Sequence, residues 1–135
     1  MIITVYGNPT PLQRHRSFIR SGKIVTFDSQ IKEKDLFVRK IRNQVCAEGV
    51  ITSLLSKESY DVTLLFGMQY PKSKMKKNMC ELNEIPHNVK PDIDNLIKFV
   101  LDCGNGLLWI DDKKINKITA KKIYVEYPKT IISIE

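Results

Sequence analysis

The sequence predicts a small α+β domain spanning residues 1–135, one mixed sheet with helices packed on it. Three patterns carry this. Val62, Leu64, Phe66 and Met68 alternate in "DVTLLFGMQY" (61–70), the two-residue period of a strand with one buried face. Phe37, Val38, Ile41 and Val45 recur at three- and four-residue spacing, as do Leu96, Phe99, Val100 and Cys103, the mark of helices with one buried stripe. Alternating segments open and close the chain.

The elements follow in order. "MIITVY" reads as an opening strand and "GNPTP" breaks it. "SFIRSGKIVTF" (17–27) reads as a β-hairpin turning at Ser21-Gly22. Asp28 or Ser29 is placed to cap a helix running to about Glu48, with Gly49 ending it. The strand of 61–70 stops at Pro71. Residues 71 to 90 are polar and without period, a long loop of the kind that is usually functional. The second helix is expected from Asp94 or Asn95 until Gly104 and "NG" (105–106). "LLWI" is short and apolar, and "INKITAKKIYVEY" and "TIISIE" read as two closing strands.

At 135 residues the chain holds one core and not two. No apolar run approaches the roughly 20 residues of a membrane span, and the N-terminus lacks signal-peptide features. A cytoplasmic protein is expected, with no membrane partner. Cys46, Cys80 and Cys103 are widely spaced, which argues against a disulfide framework. Cys80 and His87 alone make no structural zinc site and read as surface-loop residues. The net charge of +7 and pI near 9.3 point to a polyanionic partner, with a merely well-charged surface as the alternative. Arg14 and Arg16 in "RHR", and Lys72, Lys74, Lys76 and Lys77 in "PKSKMKK", are the candidate DNA-backbone contacts.

Against this basic background stands "KPDIDNLIK" (90–98). Asp92 and Asp94, two apart on an extended segment, are expected on one side, with Ile93 turned to the core. A helix cap accounts for one acid and not for two. Lys98 lies one turn after Asp94, placed for an ion pair or to meet a phosphate. Asp102 extends that row and is given a structural role. "WIDD" adds Asp111 and Asp112. Clustered carboxylates are hard oxygen ligands suited to Mg²⁺ or Mn²⁺, metals that activate water for phosphodiester hydrolysis. Lysines to hold a backbone and carboxylates to hold a metal form the charge pattern of a nuclease. Two motif readings fail. "DIDNL" has the Asp-x-Asp of haloacid-dehalogenase-type phosphatases without their buried strand, and an EF-hand would need Gly at Ile97 and Glu at Cys103.

"KPDIDNLIKFVLD" followed by "NGLLWIDDKKI" (90–115) resembles the RusA-type Holliday-junction resolvases, in a long-loop form like those of phages and prophages. Weaker similarity covers "NPTPLQRHR", the hairpin and helix, and "PKSKMKK". The resemblance implies a homodimeric, Mg²⁺- or Mn²⁺-dependent endonuclease of recombination and repair that cuts four-way DNA junctions symmetrically in a bacterial cell. It implies Asp92, Asp94 and Asp112 as catalytic metal ligands, with Asp111 beside them as a further ligand or a structural acid. Lys98 would neutralise charge on the phosphoryl transition state. The alternatives are a catalytically weak junction-binding module of the same fold and, further off, a small Asp-x-Asp phosphatase. Cys103-Gly104 departs from the family's pattern: glycine costs roughly 1 kcal/mol inside a helix, so an early end is expected there.

Overall fold

The computed structural model describes residues 1–46, 49–71 and 84–135. The alternation of the opening segment makes strand β1 (Ile2–Tyr6), with Ile3 and Val5 turned inward. The hairpin forms as β2 (Arg16–Arg20) and β3 (Lys23–Phe27). Ser21 and Gly22 at its tip have φ of 51° and 75°, the paired left-handed conformation of a two-residue hairpin turn.

Helix α1 (Ile31–Val45) buries Phe37, Ile41 and Val45, three of the four expected positions. Its N-cap is Gln30, not Asp28 or Ser29. The Asp28 carboxylate instead accepts from Gln30 N and from Lys34 Nζ, each at 2.8 Å. Gly49 does not close α1, which stops at Val45; with φ of 87° it starts a second helix, α2 (Val50–Leu55). Six residues are too few to print a helical period, which is why the sequence concealed α2.

Strand β4 (Tyr60–Gln69) buries the alternating set Val62, Leu64, Phe66 and Met68. Helix α3 (Ile93–Gly104) buries Leu96, Phe99, Val100, Cys103 and Gly104. α3 ends at Gly104, as expected. A Cβ there would sit 2.2 Å from Trp109 Cζ2, so its hydrogen leaves the space the indole fills. "LLW" (107–109) is a buried turn beneath the helix end, followed by a 3-10 turn (Asp112–Lys114), β5 (Ile115–Val125) and β6 (Lys129–Ile134).

Four strands form one mixed sheet in the order β1-β6-β4-β5. β6 pairs antiparallel with β1 and β4, and β4 pairs parallel with β5. A parallel pair needs a crossover, and α3 supplies it. Its start therefore lies toward the C-terminal ends of β4 and β5, and its end toward their N-terminal ends, where Ile115 pairs with Tyr60. α1 and α3 meet at Phe37 and Phe99, edge to face at 5.4 Å. The hairpin forms a separate two-stranded sheet. The described end of the 71–90 segment is not a free loop. Ile85–His87 runs along β5, with Tyr124 N donating to Ile85 O at 2.9 Å and His87 N to Lys122 O at 3.0 Å.

Candidate active site

Asp92 is the N-cap of α3, with extended backbone, and its carboxylate makes no cap hydrogen bond. Its backbone carbonyl accepts from Leu96 N, so the helix starts without using the side chain. Asp94 stands in the first turn. Both carboxylates gain from the positive end of the helix dipole. They open on one surface cleft together with Ile93, His87 and Lys122. Ile93 is thus not a core residue: it is 37% exposed and forms part of the cleft wall. Lys98 Nζ donates to Asp94 Oδ2 at 3.2 Å, with both side chains more than half exposed. A pair so hydrated contributes only a few tenths of a kcal/mol, and Lys98 is free to exchange Asp94 for another oxyanion.

The opposite wall comes from β5. Lys122 Nζ donates to the carbonyls of Val89 and Pro91, which ties down the segment that enters the acidic pair. His87 is 8% exposed and tilts against the Tyr124 ring at 4.6 Å between centroids. Its Nδ1 is buried with no hydrogen-bond partner among the described residues. Burial first, and the Lys122 charge second, push its pKa below the usual value, so the ring is neutral at pH 7. The expectation of a surface-loop histidine is corrected: pairing of the Ile85–His87 segment with β5 carries it inside. Neither His87 nor Lys122 was read as a site residue, because the contacts that bring them here are far apart in sequence.

Asp111 and Asp112 lie at the other end of α3. From Asp92 at its cap the twelve residues of α3 rise about 18 Å before the chain turns toward Asp111, and the ten that follow Asp94 rise about 15 Å. Asp111 Oδ1 accepts from Lys113 N at 3.0 Å and Oδ2 pairs with Lys113 Nζ at 3.2 Å, so this acid caps the 3-10 turn. The Lys113 amide, then its ammonium, holds the Asp111 pKa below the usual carboxylate value. Asp112 is exposed and pairs with no cation among the described residues. Among those residues no three His, Cys, Asp or Glu side chains gather to hold a metal ion. The carboxylates of the cleft are a pair, Asp92 and Asp94. Two carboxylates suit Mg²⁺, which keeps several waters and takes phosphate oxygens to complete its shell.

Asp102 takes the structural role expected of it, receiving Lys34 Nζ at 3.3 Å while Lys34 also holds Asp28, which links α1 to α3. Arg14 and Arg16 are exposed at the base of the hairpin. Lys72, Lys74, Lys76, Lys77 and Cys80 lie outside the described residues. No described helix is long and apolar enough to cross a membrane.

The site is thus an acidic pair at the start of a crossover helix, flanked by lysines in a mixed α+β fold. The RusA endodeoxyribonuclease model matches residues 7–135, nearly the whole chain, and the protein belongs to that family. Among its relatives is the uncharacterised YqaN of Bacillus subtilis (strain 168), 33% identical over 134 residues that cover 97% of this chain and 92% of YqaN.

Proposed function

We propose that the protein is a metal-dependent endonuclease that resolves four-way DNA junctions by paired phosphodiester hydrolysis, acting in the cytoplasm of a bacterial cell as a homodimer. The observation that carries this reading is the pair Asp92 and Asp94 on one cleft in a chain of the RusA family. Asp92 and Asp94 would hold Mg²⁺ or Mn²⁺, which supplies an activated water and charge neutralisation at the scissile phosphate. Lys98, held weakly by Asp94, would turn to the phosphoryl oxygens as charge develops there. Lys122 keeps the entering segment fixed, so the acids are placed before substrate arrives. Arg14, Arg16 and the lysines of 72–77 would track the backbone. A junction has two-fold symmetry and needs two matched cuts, which a closed dimer supplies. In that dimer Asp112, with Asp111 beside it, would reach the metal from the second copy, since its own chain holds it a helix length away.

A labelled four-way junction incubated with and without Mg²⁺ tests the reading. Paired cuts that a chelator abolishes are expected. Binding without cutting would reduce the protein to a junction-binding module, and indifference to DNA would end the reading.

A further inference from the structure

Among the described residues the β2–β3 hairpin has no tertiary cover: all ten of its strand residues are exposed and it joins no other described strand. A two-stranded hairpin alone is marginal in water, so its surface composition calls for an occupant. The register puts Arg16, Phe18 and Arg20 on one face with Phe27, Val25 and Lys23 opposite them. Phe18 and Phe27 meet edge to face at 5.9 Å, and the three cations share their face of the hairpin. Residues 14–27 contain Arg14, Arg16, Arg20 and Lys23 and no acid. None of these four is ion-paired among the described residues.

The hairpin is anchored beside the acids. The Gln30 side chain, 2% exposed, accepts from Gln13 N at 2.7 Å and donates to Pro11 O at 2.9 Å. Leu12 N donates to Asn95 O at 2.8 Å, in the first turn of the acid-bearing helix. One short segment thus connects the arm's root to the residue next to Asp94.

We propose that this arm reads the branch point: Arg16, Arg20 and Lys23 grip phosphates while Phe18 and Phe27 stack on bases that only an opened junction exposes. The inference rests on the endonuclease reading and adds the source of its structure selectivity. Charge complementarity selects nucleic acid over a second copy. A two-fold contact through this face would set the same cations of both chains against each other. Aromatic rings between cations are the composition that binds unpaired bases without sequence preference.

Binding is measured in Ca²⁺ against a four-way junction and an intact duplex, over a salt series, with mass measured alongside. The double variant Phe18→Ala/Phe27→Ala is expected to bind the junction roughly ten- to a hundredfold more weakly and the duplex unchanged. The triple variant Arg16→Gln/Arg20→Gln/Lys23→Gln is expected to flatten the log affinity–log salt slope by about 2.7, at about 0.9 per phosphate, on both DNAs. All five side chains are exposed, so melting temperatures stay near the parent's. Parental binding in both variants would overturn the arm alone. A fall in oligomer mass would assign the face to a second copy and overturn it too. A parent that binds no junction would remove the endonuclease reading and this inference together.

Discussion

Lys98 Nζ and Asp94 Oδ2 lie 3.2 Å apart on one face of α3, and the bond between them is the only brake on either charge among the described residues. Asp94→Asn keeps the shape and loses the charge. The exposed pair contributes a few tenths of a kcal/mol, so melting in metal-free buffer should move by no more than a degree or two. Junction affinity should hold or rise, since one acid facing phosphate is gone. Cleavage should fall by more than the ~10–100-fold that losing a ligand's supporting partner costs. Melting temperature, affinity and cleavage rate on this variant check all three; retained cleavage removes Asp94 from the metal.

Gly104→Ala probes the fold and leaves the cleft alone. The added methyl would meet the Trp109 ring at 2.2 Å, and the ring is fully buried. Overpacking of this kind costs about 1–3 kcal/mol, far more than the gain in helix propensity. Melting should drop by several degrees. Tryptophan fluorescence should shift as Trp109 is displaced. A variant as stable as the parent would mean that the helix end re-forms around alanine.

Local periods made β4, α1 and α3 legible, because each buries a face that repeats within its own segment. The Asp92–Asp94 pair stood out by its spacing, but the extended segment expected to carry it is a helix start: Asp92 is the cap and Asp94 already stands in the first turn of α3. What escaped depends on distant pairing. His87 enters the core through bonds to Lys122 and Tyr124, more than thirty residues on. The relation of Asp112 to Asp92 is set by a parallel crossover, and residue spacing carries no trace of it. The hairpin was foreseen, and its separation from the main sheet was not, because alternation tells which residues face alike and not which strand lies next door.

Lys122→Met tests positioning in the cleft. The methionine keeps the stem and loses the donor to Val89 O and Pro91 O. The segment before Asp92 should loosen while β5 stays paired. Cleavage is expected to fall about 10–100-fold with junction affinity changed less than threefold. Lys122→Arg should restore part of the rate. Loss of melting temperature with cleavage intact would make Lys122 a structural residue only.

Acid should weaken the fold in two windows. The His87 pKa is depressed below its usual 6.5, so the folded state resists its protonation. Stability from the neutral ring is present above pH 6.5 and is lost as pH falls through the folded value. The Asp28 pKa is depressed below the usual 3.8, chiefly by Lys34 and then by the Gln30 amide. Its contribution is present above that value and is lost as pH falls through the folded pKa. Melting temperature followed from pH 8 to 3 should decline below about 6.5 and again below about 4. Asp28→Asn should flatten the second decline and leave the first. An unchanged second limb would mean that the Asp28–Lys34 link carries no pH-dependent stability.

The last expectation follows from the length of α3. Asp92 and Asp112 stand at opposite ends of a 12-residue helix, about 18 Å of rise, too far for one metal ion. If both are ligands, each site of a dimer must take Asp92 from one copy and Asp112 from the other. Asp92→Asn and Asp112→Asn homodimers would then each carry two damaged sites and cut nothing. A mixed dimer, purified through two different tags, would hold both lesions in one site and none in the other. It should therefore regain nicking of a labelled four-way junction, near half the parent's rate per dimer, and yield single nicks in place of paired cuts. Sites built within one chain give the opposite result, since every site of the mixed dimer then keeps one lesion and stays dead. Full cutting by the Asp112→Asn homodimer would take Asp112 out of the site altogether. The nick count on the mixed dimer decides, because no rearrangement within a single copy can rebuild a site from two damaged chains.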